Sequence, residues 1–136
     1  MRTIEFRGKS IEFDTEGEWV YGDFVQHHDG DVSISIHGEY EFLKCIAVDI
    51  DTVGQFTGLF DKNGKEIYEG DIIGCYNPEI KHLIFYNENQ GRFMAALNGD
   101  IENDFIGVCG LDDRRWMASK EVIGNVYDNP ELVKSL

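Results

Sequence analysis

Residues 57–71, TGLFDKNGKEIYEGD, bring four carboxylates, two lysines and three glycines into fifteen positions. Three chemistries suit such a stretch: a calcium loop, a phosphate cradle, or a pair of tight turns. A calcium loop of the EF-hand kind needs oxygen ligands at its first, third and fifth positions, glycine at the sixth and a bidentate glutamate at the twelfth. Counted from Asp61, Gly64 falls at the fourth position, where it cannot make the bend. Counted from Asp49, Asp51 and Gly54 are in place, but Val53 and Phe60 occupy the fifth and twelfth positions and offer no side-chain oxygen. A P-loop requires G-x-x-x-x-G-K-[ST]. Gly58 and Gly64 are one residue too far apart for it, Lys65 is followed by Glu66, and Asp61, Glu66, Glu69 and Asp71 would repel an anion. The turn reading uses more of the residues. In DKNG, Asp61 occupies the first position of a type I turn, Asn63 suits the turn interior, and Gly64 accepts the left-handed conformation that closes a bulged hairpin. QFTGLF and KEIY would be its arms. In EGD, Gly70 bends the chain and Asp71 bonds forward to backbone N–H groups. Asp61, Asn63, Gly64, Gly70 and Asp71 are therefore expected to form a structural turn motif.

Other chemistry is sparser. His27, His28, Asp29 and His37 could contribute zinc ligands, but adjacent histidines on a strand face opposite ways, so at most one of the first two could join His37. His82 alternates with Leu83 and Phe85 as an ordinary strand residue. The pairs Glu39/Glu41 and Glu102/Asp104 share strand faces without an apolar pocket to set their proton affinities apart. Ser33 and Ser35 lie outside any nucleophile elbow. Cys45, Cys75 and Cys109 are scattered and odd in number, which argues against a disulfide framework and for reduced thiols in a cytoplasm. The reading is a non-enzyme: no catalytic residues, no metal ligands and no cofactor are assigned.

The elements that would carry these residues are strands. Short apolar alternations are cut by Gly, Asp and Asn throughout. TIEFRG puts Ile4 and Phe6 on one face, and EWVYGDFV is rich in aromatic and β-branched residues. VSISI predicts a half-buried strand, with Val32, Ile34 and Ile36 inward and Ser33 and Ser35 on a wet face. KCIAVDI reads as covered on both sides. EIYEGDIIGCY, KHLIFYN, RFMAAL and KEVIGNVYDN follow. HHDGD, Asn63-Gly64 and Asn98-Gly99 are turn signals. Helix is confined to PELVKSL, where Asn129 is an N-cap candidate ahead of Pro130, and to a turn or two in GLDDRRWMASK. The one candidate boundary is VDIDTVG, residues 48–54, where a strand is expected to give way to a loop.

The chain has 136 residues and a net charge of −14, from 12 basic and 26 acidic side chains. Both halves share the imbalance: residues 1–60 hold 4 basic and 12 acidic side chains, and residues 61–136 hold 8 and 14. Nucleic-acid affinity rests largely on Lys and Arg at phosphates, so direct nucleic-acid binding is disfavoured, as is attachment to anionic membranes. No apolar run reaches the roughly 20 residues of a membrane span, and MRTIEFRGKS lacks the apolar region of a signal peptide. Negative charge serves solubility, and it also suits a basic partner or imitation of nucleic acid.

VGQFTGLFDKNGKEIYEGDII, followed near the C-terminus by EVIGNVYDNPEL, resembles the YopX family of phage and prophage proteins, and RTIEFRGKS and EWVYGDF resemble that family's opening. The resemblance covers nearly the whole chain except its middle, residues 89–116. It implies a largely β architecture, an N-terminal β portion and a C-terminal small barrel of SH3-like character; with the short C-terminal helix read from PELVKSL, the expectation is an all-β fold whose parts are residues 1–52 and 53–136. It also implies a phage or prophage setting, and it carries no activity. The resulting expectation is a cytoplasmic, non-enzymatic accessory module that binds a host or phage protein of basic character. Homo-oligomers are a further option, because small sheets leave edges that can pair. The alternatives are an acidic nucleic-acid mimic blocking a DNA-binding protein and a small hydrolase or metal-dependent enzyme.

Overall fold

The structure is a computed structural model that describes residues 3–36, 44–74, 79–102 and 119–133, and the backbone alone of residues 105–107. Within them the chain is all-β: ten strands and one 3₁₀ turn. It divides into two units, residues 1–56 and 57–136.

The N-terminal unit is built from β1 (Phe6–Ser10), β2 (Trp19–Gln26), β3 (Val32–Ile36) and the first part of β4 (Lys44–Phe60). Each antiparallel strand pairs with the next, and β4 returns to β1, so every strand has a neighbour on both sides. Two long strands change partner to close this ring. β2 pairs with β1 through Gly22 and with β3 from Asp23 onward. β4 pairs with β3 over residues 44–47 and with β1 from Val48. Gly22 permits the first crossing, because a Cβ there would overlap the Ser35 carbonyl oxygen and press on Ile34. The core is aliphatic, made of Val20, Val32, Ile34, Ile46 and Val48, with Phe6, Phe24, Ile36 and Val53 packed against it.

Several sequence expectations shift here. Ile4 precedes β1 and is exposed instead of sharing a face with Phe6. β3 is not half-wet: Ser33 and Ser35 are as buried as their apolar neighbours, and the Ser33 hydroxyl lies 2.7 Å from His27 Nε2. The start of β4 is the half-exposed strand instead, with Ile46 and Val48 inward and Lys44, Cys45 and Asp49 outward. Side chains as small as serine can be buried on a strand face, which alternation alone does not report. Residues 48–54 do not end a strand, since β4 runs through them. The expected loop survives as an excursion within the ladder: Lys9 faces Asp49 and Arg7 faces Gly54, leaving residues 50–53 opposite Gly8 alone. Thr52 stabilises the excursion, its Oγ1 donating to the Asp49 carbonyl at 2.6 Å and accepting from Lys9 N at 2.9 Å.

In the C-terminal unit the end of β4 pairs with β5 (Glu66–Tyr68). A second antiparallel sheet follows the order β10-β6-β7-β8-β9, built from β6 (Asp71–Gly74), β7 (Lys81–Asn87), β8 (Arg92–Leu97), β9 (Phe105–Gly107) and β10 (Glu121–Asn125). Leu59, Ile67, Ile73, Ile84, Phe93 and Ala95 form its core, with Val122 against it. The chain then makes a single 3₁₀ turn, Pro130–Leu132. Asn129 occupies the N-cap position without capping, because its Oδ1 accepts from Asn125 N at 3.3 Å instead. The helical turn expected in GLDDRRWMASK, and Cys75, Cys109, His37, Glu39, Glu41 and Asp104, fall wholly or mainly outside the described residues.

Candidate functional site

DKNG joins β4 to β5, and its first residue does most of the bonding. Asp61 N donates to the Lys65 carbonyl at 2.9 Å, and Gly64 N donates to the Asp61 carbonyl at 3.0 Å, which closes the turn. Gly64 sits at φ +80, in the left-handed region that a side chain resists. The Asp61 carboxylate, 5% exposed, accepts three backbone N–H groups. Oδ1 takes those of Asn63 at 2.8 Å and Lys65 at 2.9 Å. Oδ2 takes that of Val122, at 3.0 Å and 61 positions along the chain. Burial alone would raise this carboxyl's pKa. The amides of Val122, Lys65 and Asn63, helped by the Lys65 ammonium, outweigh it and hold the pKa below its ordinary 3.8.

The neighbouring residues extend this link to β10. Lys62 N donates to the Lys120 carbonyl at 2.9 Å, and the Lys62 ammonium lies 3.6 Å from Glu121. Asn63 Nδ2 reaches Glu121 Oε1 at 3.3 Å. The second turn does similar work. Gly70, at φ +93, donates its N–H to the Ile84 carbonyl on β7 at 2.7 Å and accepts from Val126 N at 2.9 Å, just past β10. A Cβ on Gly70 would come within 2.9 Å of the Tyr127 ring. Asp71 is 1% exposed. Its Oδ2 reaches back to accept from Tyr68 N at 2.8 Å, because the chain has already turned at Gly70 and Asp71 is the first residue of β6.

The structure thus places Asp61, Asn63 and Gly64 in one turn and Gly70 and Asp71 in another, and brings both against the β10 segment. The carboxylates do not converge on a common point. Asp61 is engaged by three amides, Asp71 by Tyr68 N, and Glu66 Oε2 by the Tyr68 hydroxyl at 2.8 Å. Chemically, Asp61 is an acceptor engaged by three backbone donors and with its pKa lowered, which suits it to holding strands together and makes it a weak base. Among the described residues no group of three or more His, Cys, Asp or Glu side chains could hold a metal ion. His27 is used by Ser33, and Cys45 is an exposed free thiol.

Two surface features were not anticipated. One is an open groove of about 510 Å³ lined by Leu97, Asn98, Gly99, Asp100, Ile101, Glu102 and Val133. The other is the β1–β2 connection, whose Phe13 is 100% exposed. The signal for the second was present in IEFDTEGE, where Ile11 and Phe13 are set among four acids.

Fold and site together define a two-unit all-β protein whose most conspicuous acidic motif pairs backbone between distant strands. A family model described as YopX protein matches residues 5–134, and the chain belongs to the YopX family. Two solved structures share the fold over essentially their whole lengths. Protein EF1440 from Enterococcus faecalis is 24% identical, with a TM-score of 0.55, covering 98% of this chain and 100% of its own. Protein yopX from Bacillus subtilis is 20% identical, with a TM-score of 0.54, covering 100% of this chain and 99% of its own. No curated protein matches the chain.

Proposed function

We propose that this chain is a phage- or prophage-encoded, non-enzymatic accessory module that works in the bacterial cytoplasm by binding a basic protein through its negatively charged exterior. The observation that carries this reading is the placement of charge in the N-terminal unit. Asp14, Glu16, Glu18, Asp23, Asp49 and Asp51 are all exposed. Two of the unit's cations are drawn in over an indole ring: the buried Arg7 lies 4.5 Å from the centre of Trp19, and Lys9 lies 5.3 Å from it. The surface is therefore more one-sided than the residue count, and such a field steers and selects oppositely charged partners. The strand order of the C-terminal sheet, last-first-second-third-fourth, supports the small barrel of SH3-like character that we propose for this unit.

The test is capture from lysate of the bacterium that carries the gene, at low and at high salt, followed by titration with the purified captured protein. The expected result is a basic protein whose affinity falls steeply as ionic strength rises. Retention of no protein, or of one whose affinity is indifferent to salt, refutes the reading.

A further inference from the structure

The β1–β2 connection, residues 11–18, is short and tightly organised. Ser10 N donates to the Glu18 carbonyl and Gly17 N to the Ser10 carbonyl, both at 2.9 Å, which close the loop at its base. Within it Thr15 N donates to the Glu12 carbonyl at 3.1 Å, and Glu18 N to the Thr15 carbonyl at 3.0 Å. The Ser10 hydroxyl, itself buried, lies 2.7 Å from Thr15 Oγ1 and accepts from Glu12 N at 3.1 Å. The loop is also tied to β4: Ile11 N donates to the Ala47 carbonyl at 3.0 Å, and Ala47 N donates to Glu12 Oε2 at 3.0 Å. This frame holds Phe13 in the solvent. Its side chain is 100% exposed, more than any other large apolar side chain among the described residues, and Ile11 beside it is 59% exposed. Asp14, Glu16 and Glu18 follow it in the same loop. They are exposed, and among the described residues none of them has an ion-pair partner.

We infer that Phe13, flanked by Ile11, is the anchor that this chain inserts into an apolar pocket on a protein whose pocket rim carries lysine and arginine. The inference rests on the proposed reading of the chain as a binder of basic proteins and narrows it to one loop. A buried aromatic at the centre of a polar ring is the arrangement that concentrates binding energy in interfaces. A loop ordered before the encounter loses little freedom on docking. Charge decides between occupants. A second copy would set the acids of one loop against a chain of net charge −14, whereas a basic rim meets Asp14, Glu16 and Glu18 with opposite charge.

The test places photoreactive p-benzoylphenylalanine at position 13 and, as controls in the full-length chain, at the exposed positions of Ile50 and Phe60. Each variant is irradiated in cells of the bacterium that carries the gene, and the cross-linked protein is then purified for titration. The expected result is one basic protein cross-linked from position 13. Its affinity falls at least about tenfold with Phe13→Ala and survives Phe13→Trp. The variant Asp14→Asn/Glu16→Gln/Glu18→Gln loses affinity at low salt and flattens the salt dependence. Melting temperatures of the variants should match the parent, since Phe13 is fully exposed. A basic partner cross-linked only from position 50 or 60, or one that binds Phe13→Ala within about twofold of the parent, overturns the anchor while leaving the binding reading intact. No cross-link from any position overturns both.

Discussion

Replacing Asp61 by asparagine isolates one atom. The side chain keeps its shape, and its remaining oxygen can still serve Asn63 and Lys65, but the atom facing Val122 N becomes an NH₂. A donor then meets a donor at a separation of 3.0 Å. The charge-assisted bond lost is worth about 1.5–3 kcal/mol, and an amide left half-buried without an acceptor adds to that. Asn63 and Lys65 are exposed and can turn to water, so their share of the loss is small. The expected cost is about 2–3 kcal/mol, a large part of the 5–15 kcal/mol typical of a folded domain. At about 4 °C per kcal/mol for a chain of this size, the melting midpoint should fall by about 10 °C. The pH dependence supplies a signature that a packing defect would not. Because the folded-state pKa of Asp61 lies below its ordinary 3.8, its ionised form stabilises the fold fully above that value, and the contribution disappears as pH falls through the folded pKa. The stability gap between parent and Asp61→Asn should thus be flat from pH 7 to about 5 and narrow below pH 4. Denaturant melts at several pH values, with hydrogen exchange at the Val122 amide, measure both effects. A midpoint change under about 2 °C, or a gap that does not narrow in acid, would refute the assignment of Asp61 as the clasp on β10.

Three further substitutions test the frame. Gly22→Ala should destabilise the N-terminal unit by about 3 kcal/mol or more, because the new Cβ strikes backbone at the strand crossing; thermal melting reads it, with Gly17→Ala, where the Cβ meets open space, as the milder control. Ile84→Ala, at a site with no exposed surface in the C-terminal core, should cost about 2–5 kcal/mol in denaturant unfolding. Asp71→Ala removes the acceptor of Tyr68 N and should cost about 1–3 kcal/mol, seen as faster exchange at the Tyr68 amide.

The local grammar of the chain was legible wherever a residue type answers to a backbone need. Asp61 and Gly64 in DKNG are chosen by the turn itself, and the short apolar runs in KHLIFYN and RFMAAL mark β7 and β8 directly. What sequence could not show was the partner on the other side. Ser33 and Ser35 read as wet because they are polar, yet a small hydroxyl can be buried once it finds a bond, as Ser33 does with His27. Residues 48–54 read as a loop because Asp49, Asp51 and Gly54 are turn formers. They do leave the ladder, but β1 re-engages at Gly54, and that pairing is set by tertiary structure. The bond by which Asp71 reaches back to Tyr68 N was hidden for the same reason, since it depends on where Gly70 has already sent the chain.

The same distinction separates the motif from the surface. The two stretches that carry the family resemblance lie about fifty positions apart, and the structure joins them: Asp61 to Val122, Lys62 to Lys120 and Glu121, Gly70 to Val126, Asp71 opposite Asn125. Polar groups committed in this way to one another have little hydrogen-bonding capacity left for a ligand. In the β1–β2 loop the internal bonds are made largely by backbone and by Ser10, Glu12 and Thr15, while Phe13, Asp14, Glu16 and Glu18 point their chemistry outward. A segment rich in pattern can thus be spent on folding, and a plain one can be left for recognition, because what matters for binding is which groups remain unsatisfied after the chain has closed on itself.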